Sequence, residues 1–220
     1  MAKFIVFEGI DRSGKSTQIK KTSEWLTSLG IKNITVQEPG TTKLGKQLRS
    51  ILKDENIQCC YKAQKSLFHA ARVQLIEEII KPSLKNDIHV LCDRYFHSTL
   101  CYQILQSEKK NLTATEFNKV VSDYINEIKQ DIIIPDITFV FYIDKDIYEK
   151  RANEHEIDRF ESISTYTNKV MKNYEGIITA AKLHPSSPLH CNIGNVIGIN
   201  SNYSIDVVFS DIKFALKKYL

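Results

Sequence analysis

The chain has 220 residues, a length that suits one domain with a substantial buried core. Its 30 Lys and Arg against 26 Asp and Glu leave a net charge of +4, spread along the sequence, so no dedicated nucleic-acid surface is expected. No apolar run is long enough to span a bilayer, and the first strand begins too early for a signal peptide. Cys59, Cys60, Cys92, Cys101 and Cys191 form no C-x-x-C pair, which points to reduced thiols in a cytoplasmic compartment. His190 beside Cys191 lacks the ligand spacing of a zinc site.

Strands and helices alternate along the chain. Residues 3–7 read as a strand and residues 18–29 as a helix. A second strand covers 33–37, followed by helices over 42–52 and 61–84. The apolar strand 88–92 precedes helices over 98–106 and 113–129. The second of these opens on a capping box, Thr113-x-x-Glu116. Its stripe of Phe117, Val120, Val121, Tyr124, Ile125 and Ile128 has helical period and belongs to the core or, in part, to a subunit interface. A strand at 137–143, a helix starting at 146, a long helix over 162–183, a strand at 195–199 and a helix over 205–219 complete the pattern. Apolar strands separated by helices imply an α/β fold: a five-stranded parallel sheet with helices on both faces. Ligands of such sheets gather at the carboxyl ends of the strands.

Gly9-Ile10-Asp11-Arg12-Ser13-Gly14-Lys15-Ser16 follows the first strand and has the G-x-x-x-x-G-K-S spacing of a P-loop. The glycines let successive backbone N–H groups face one anion. Lys15 reaches outer phosphates and Ser16 holds magnesium. The next helix adds its dipole. A bare glycine turn gives no reason for Lys-Ser after the second glycine.

Asp93-Arg94-Tyr95 ends the strand 88–92. A carboxylate there acts on magnesium directly or through water, and Arg94 clamps a second phosphate. The competing reading is a salt-bridged surface turn. Phe68 and Arg72, four apart on one helix, share a face and suit a nucleobase, although a core Phe beside a solvated Arg has the same spacing. Glu38-Pro39-Gly40-Thr41-Thr42 closes the second strand, and Arg49 lies two turns into the following helix. The charged stretch from Lys150 to Arg159 reads as a lid over about 150–160, or as an exposed connection.

Taken together, these segments resemble the thymidylate kinase family of P-loop nucleoside monophosphate kinases. The resemblance runs through Phe7-Glu8-Gly9 to Ser16-Thr17, Glu38-Pro39-Gly40, Leu67-Phe68-x-Ala70-x-Arg72, Asp93-Arg94-Tyr95-x-x-Ser98-Thr99-x-x-Tyr102-Gln103 and Asp158-Arg159. It implies transfer of a phosphoryl group from ATP with Mg2+ to dTMP, within one kinase domain that pairs as a homodimer. It implies that Gly9, Asp11, Arg12, Ser13, Gly14, Lys15, Ser16, Thr17 and Arg151 bind ATP. Asp11, Arg49, Phe68, Arg72, Arg94, Thr99, Tyr102 and Gln103 are implied to bind dTMP, with Phe68 on the base, Arg72 at its carbonyl edge and Tyr102 beside the sugar. Arg12, Lys15, Asp93 and Arg94 are the implied catalytic set, Ser16 and Asp93 the metal positions, and Arg151 and Arg159 the lid arginines. Gln37 and Thr41 stand where bacterial members usually have Arg and Gly.

Two rival readings differ in chemistry. A deoxynucleoside kinase needs a carboxylate base, and Glu38 is placed for it. A regulatory GTPase needs N-K-x-D, and both Asn118-Lys119-Val120-Val121 and Asn168-Lys169-Val170-Met171 lack the Asp.

Overall fold

The computed structural model describes residues 1–108, 112–152, 164–183 and 193–220, with the side chains of 152, 164 and 165 left aside. Five strands, β1 (Phe4–Gly9), β2 (Asn33–Gln37), β3 (His89–Asp93), β4 (Ile137–Tyr142) and β5 (Val196–Asn200), form one sheet in the order β2-β3-β1-β4-β5. Every pairing is parallel, so all five carboxyl ends lie along one edge. β1 pairs with β3 and β4, with Phe7 opposite both Asp93 and Phe139. The chain therefore leaves β1 toward one side for β2 and later crosses to the other for β4, the kind of reversal where α/β sheets bind ligands.

β1 is buried throughout, as a central parallel strand must be. Its residues alternate between the two faces. Phe4 and Val6 join a core with Leu75, Ile76, Tyr95, Tyr124 and Tyr174. Ile5 and Phe7 join another with Ile19, Leu26, Phe139, Phe141 and Ile212. The first face is covered by α3 (Tyr61–Leu75), α4 (Lys81–Lys85), α5 (Phe96–Thr99), α6 (Leu105–Ser107), α7 (Ala114–Ile128) and α9 (Ser164–Ala181). The second is covered by α1 (Lys15–Ser28) and α10 (Ile205–Leu216). α2 (Lys43–Lys53) follows β2, and α8 (Lys145–Ala152) follows β4.

Several helices differ from the sequence reading. α1 starts at Lys15, because Gly14 at φ 92 ends the loop in a left-handed conformation that suits glycine. The expected helices over 61–84 and 98–106 each contain a π turn, Ile76–Ile80 and Leu100–Ile104. Apolar periodicity does not reveal an inserted residue, since the buried stripe continues on either side of it. The capping box of α7 is present: Thr113 Oγ1 accepts from Glu116 N at 3.3 Å, and Glu116 accepts from Thr113 N at 2.9 Å. Of its stripe, Val121, Tyr124, Ile125 and Ile128 are buried, and Phe117 and Val120 are partly so. No helix among the described residues is long and apolar enough to cross a membrane.

Candidate active site

Two adjoining cavities open at the carboxyl edge of the sheet. The larger, of about 600 Å3, is walled by the P-loop from Asp11 through Thr17, with Asp93, Arg151, Ser201 and Tyr203. The smaller, of about 240 Å3, is lined by Glu38, Pro39, Leu52, Lys53, Phe68, Ser98, Thr99, Tyr102 and Gln103. Asp11, Arg49 and Arg94 line both. The shared wall is thus where groups held in the two cavities meet.

The P-loop is shaped by close approach. A Cβ on Gly9, at φ 136, would sit 2.6 Å from the Phe141 carbonyl oxygen of β4. Gly9 does not wall the cavity. Instead its carbonyl, with that of Ile10, accepts from Lys15 Nζ at 3.0 and 2.7 Å. Gly9, expected from the sequence to bind ATP, is thus seen as a turn whose carbonyl anchors Lys15. Burial and the nearby Arg94 charge push Lys15 down to about 8, against the pull of Asp11, Asp93 and Glu8. Arg12 sits at φ 62, and its carbonyl accepts from Arg151 Nη1 at 3.2 Å. Arg151 Nη2 donates to the Ser201 carbonyl at 2.8 Å, which ties α8 to the P-loop and to the end of β5. Arg159 and most of the expected lid lie outside the described residues, as does Cys191.

Ser16 Oγ donates to Asp93 Oδ2 at 3.5 Å. Asp93 Oδ1 is buried with no hydrogen-bond partner. A hydroxyl and a carboxylate are the hard oxygen donors magnesium takes, and it needs few of them from protein when phosphates supply the rest. The two residues fit that ion. No cluster of three or more His, Cys, Asp or Glu side chains able to hold a metal occurs among the described residues.

The shared wall is a charged lattice. Arg94, at φ 68, donates from Nη2 to Asp11 Oδ1 at 2.6 Å and from Nη1 to Ser98 Oγ at 3.1 Å. Its guanidinium carbon lies 5.2 Å from the centre of the Tyr102 ring. Burial raises the Asp11 carboxyl, but the Arg94 and Lys15 charges hold it well below the usual carboxylate range. Arg49 Nη1 donates to the Pro39 carbonyl at 3.0 Å.

In the smaller cavity Phe68 is a wall residue, whereas Arg72 is not. The turn of α3 that presents Phe68 carries Arg72 behind the wall, where it is fully buried. Its Nε and Nη2 donate to both Glu38 oxygens at 3.0 and 2.6 Å. Nη2 also donates to Thr99 Oγ1 at 2.7 Å, and Nη1 to the Tyr124 hydroxyl at 3.2 Å. Direct contact of Arg72 with a ligand, expected from its helical face, is thus not what the geometry shows. A buried guanidinium is tolerable only when paired, and Glu38 is that pair. Burial raises the Glu38 carboxyl, and Arg72 opposes the rise. Thr99, Tyr102 and Gln103 share one face at i, i+3 and i+4, and all three reach the cavity. Gln103 Nε2 donates to Gln64 Oε1 at 3.3 Å.

The sequence reading singled out neither Leu52 nor Lys53, and it gave no role to Ser98 or to Glu8, the buried acid in an otherwise apolar strand. Glu8 Oε1 accepts from the Tyr95 and Ser98 backbone N–H groups at 2.6 and 3.1 Å. A charged residue inside a fully buried strand was the available signal.

Comparison with known proteins agrees with this geometry. The thymidylate kinase family model matches residues 7–184. A thymidylate kinase of Thermosipho africanus is 37% identical over 218 residues, covering 99% of this chain and 98% of its own. One from Buchnera aphidicola is 35% identical over 223 residues, covering 99% and 96%. The solved structure of thymidylate kinase from Candida albicans matches with a TM-score of 0.74 over 99% of this chain and 92% of that one; at 22% identity it speaks for the fold. Glu38, with both oxygens on Arg72, gives the nucleoside kinase reading no support. The chain belongs to the thymidylate kinase family, the phosphotransferases that convert dTMP and ATP to dTDP and ADP.

Proposed function

We propose that the larger cavity takes ATP, the smaller takes dTMP, and transfer occurs across the wall that they share. The observation that carries this is the placement of Asp11, Arg49 and Arg94 in both linings. The acceptor is a phosphate monoester with a second pKa near 6, so it is largely dianionic at neutral pH and needs no strong base. The difficulty is bringing two anions together in line, which calls for positioning and charge neutralisation.

Backbone N–H groups of Ser13, Gly14, Ser16 and Thr17 cradle the donor phosphates, with Lys15 on the outer ones. Arg12 neutralises the transferring phosphoryl from within the P-loop. Ser16 and Asp93, the latter directly or through water, would hold magnesium, which would supply charge neutralisation when bound. Arg151, held between the Arg12 and Ser201 carbonyls, flanks the adenine.

On the acceptor side Arg94 and Arg49 hold the dTMP phosphate, with Asp11 near the sugar and orienting Arg94. Phe68 stacks on the base. Arg72 reads the base edge through Thr99 Oγ1, 2.7 Å away, rather than by direct contact. Gln103 lies near the base, and Tyr102 fills the space that a ribose 2′-hydroxyl needs. Residues 1–220 act as one kinase domain, with a lid over about 150–160 that includes Arg159. The homodimer that the resemblance implies belongs to the same proposal. Sedimentation velocity showing only monomer at working concentration would remove it.

A coupled ADP-release assay with ATP-Mg tests the assignment of the acceptor cavity. dTMP should have the highest kcat/KM among dTMP, CMP, AMP and thymidine, and Phe68→Ala should erode that preference. Equal turnover of CMP or AMP would defeat the base-reading roles, and turnover of thymidine would defeat the phosphate clamp.

A further inference from the structure

Glu8 carries a second set of contacts that the transfer scheme does not use. Its Oε2 accepts from Ser98 Oγ at 2.7 Å and from the Tyr174 hydroxyl at 2.8 Å. With two backbone donors on Oε1, the four bonds use the full acceptor capacity of a carboxylate. The Tyr174 hydroxyl also lies 3.0 Å from Ser98 Oγ. Ser98 Oγ in turn accepts from Arg94 Nη1 at 3.1 Å. Tyr174, on α9, is 166 residues from Glu8 in sequence.

We propose that Tyr174 is a positioning residue for the acceptor phosphate: its hydroxyl holds the Glu8–Ser98 pair that aims Arg94. The proton inventory is consistent. Ser98 gives its one proton to Glu8, and so it meets Arg94 as an acceptor. Tyr174 gives its proton to the same carboxylate oxygen, and burial with Glu8 alongside keeps that hydroxyl protonated. The Ser98 oxygen is thereby left facing the guanidinium. Arg94 has other partners in Asp11 and Tyr102, so loss of one restraint should loosen its aim without abolishing it. The ring of Tyr174 also packs against Tyr102, with centroids 6.3 Å apart and an edge-on geometry. A purely structural role would reside in that ring. A positioning role resides in the oxygen, and Tyr174→Phe separates them.

The inference rests on Arg94 holding the dTMP phosphate, and its test keeps the two apart. Calorimetric affinities for dTMP and for thymidine are measured on wild type, Tyr174→Phe, Ser98→Ala, the double variant and Arg94→Lys. Tyr174→Phe should weaken dTMP about three- to tenfold, the worth of one hydrogen bond, and leave thymidine and the KM for ATP unchanged. Its effect should be smaller in the Ser98→Ala background, because both act on one chain of bonds. An equal loss for dTMP and thymidine would overturn the proposal. So would a lowered unfolding midpoint with unchanged dTMP-to-thymidine selectivity, which would assign Tyr174 to stability alone. If Arg94→Lys weakens dTMP selectively and Tyr174→Phe does not, the Tyr174 role fails and the Arg94 role stands. If Arg94→Lys leaves the selectivity unchanged, the phosphate role of Arg94 fails, and the inference built on it fails too.

Discussion

The two cavities are built by opposite means. In the smaller, polar wall side chains are already paired: Glu38 and Thr99 with Arg72 behind them, and Arg94 with Asp11 and Ser98 at the mouth. The larger is walled in part by the P-loop, Asp11 through Thr17, and some of its polar side chains keep uncommitted atoms. Ser13 Oγ, Asp93 Oδ1, Gln18 Oε1 and Ser201 Oγ are buried without hydrogen-bond partners. Selection among chemically similar acceptors needs donors and acceptors fixed beforehand, because an unmatched buried polar group then counts against the wrong ligand. A polyphosphate offers charge and many oxygens, and a cradle of N–H groups with a mobile cation can receive it. The acceptor side should therefore respond to substitution through selectivity and stability, and the donor side through rate and pH.

The largest expected effect is on the acceptor side. Arg72→Ala leaves the buried Glu38 without its partner and should lower the unfolding free energy by about 3–5 kcal/mol, read by urea titration. The paired change Arg72→Met with Glu38→Leu removes both charges and should restore most of that stability while leaving dTMP binding weak. If the stable double variant keeps the wild-type KM for dTMP, the pair belongs to the scaffold alone.

On the donor side Arg12→Ala should lower kcat at least about a hundredfold, the scale of an arginine acting on a transferring phosphoryl group, with little change in dTMP affinity. Between the lid arginines Arg151 and Arg159, the stretch from Ala152 to Glu156 contains two acids and no arginine, which is why we place this charge on the P-loop. Arg151→Ala and Arg159→Ala should cost less. A lid variant that loses far more rate than the Arg12 variant would reverse the assignment.

The pH dependence sharpens the contrast. Lys15 in the free protein is held down to about 8, below its ordinary value, so it is protonated below that pH and neutral above. kcat/KM for ATP reports the free enzyme, and should be flat up to about pH 8 and then fall by about tenfold per unit. Bound phosphates favour the charged amine, so kcat should hold to higher pH. A kcat/KM profile level to pH 10 would mean that Lys15 keeps its ordinary affinity for the proton.

The smallest effect concerns the sugar. Tyr102→Ala opens space in the smaller cavity and should shift the deoxyribo-to-ribo preference a few fold, about the worth of one packing contact. Arg94 also loses the ring beneath it, so both nucleotides should weaken together while their ratio narrows. A constant ratio would confine Tyr102 to the support of Arg94.

The alternation of apolar strands and amphipathic helices was enough to predict a parallel sheet, because a strand buried on both faces must be apolar and its crossovers must carry an apolar stripe. The G-x-x-x-x-G-K-S loop was equally plain, since its chemistry is local: the residues that turn the chain are the ones that meet the phosphate. Asp93 and Arg94 were legible as a pair at a strand end for the same reason. What Arg72 does was not legible. Helical spacing placed it beside Phe68, yet whether a guanidinium faces a cavity or a buried carboxylate depends on Glu38, which is 34 residues away. The π turns were hidden because an extra residue in a helix leaves the apolar composition unchanged. Glu8, Ser98 and Tyr174 meet only after β1, α5 and α9 have packed, and their order along the chain carries no trace of it. Local chemistry could thus be read from the sequence, whereas the choice of partner for each buried charge was made by tertiary packing, because desolvation penalises any charge that the fold leaves alone.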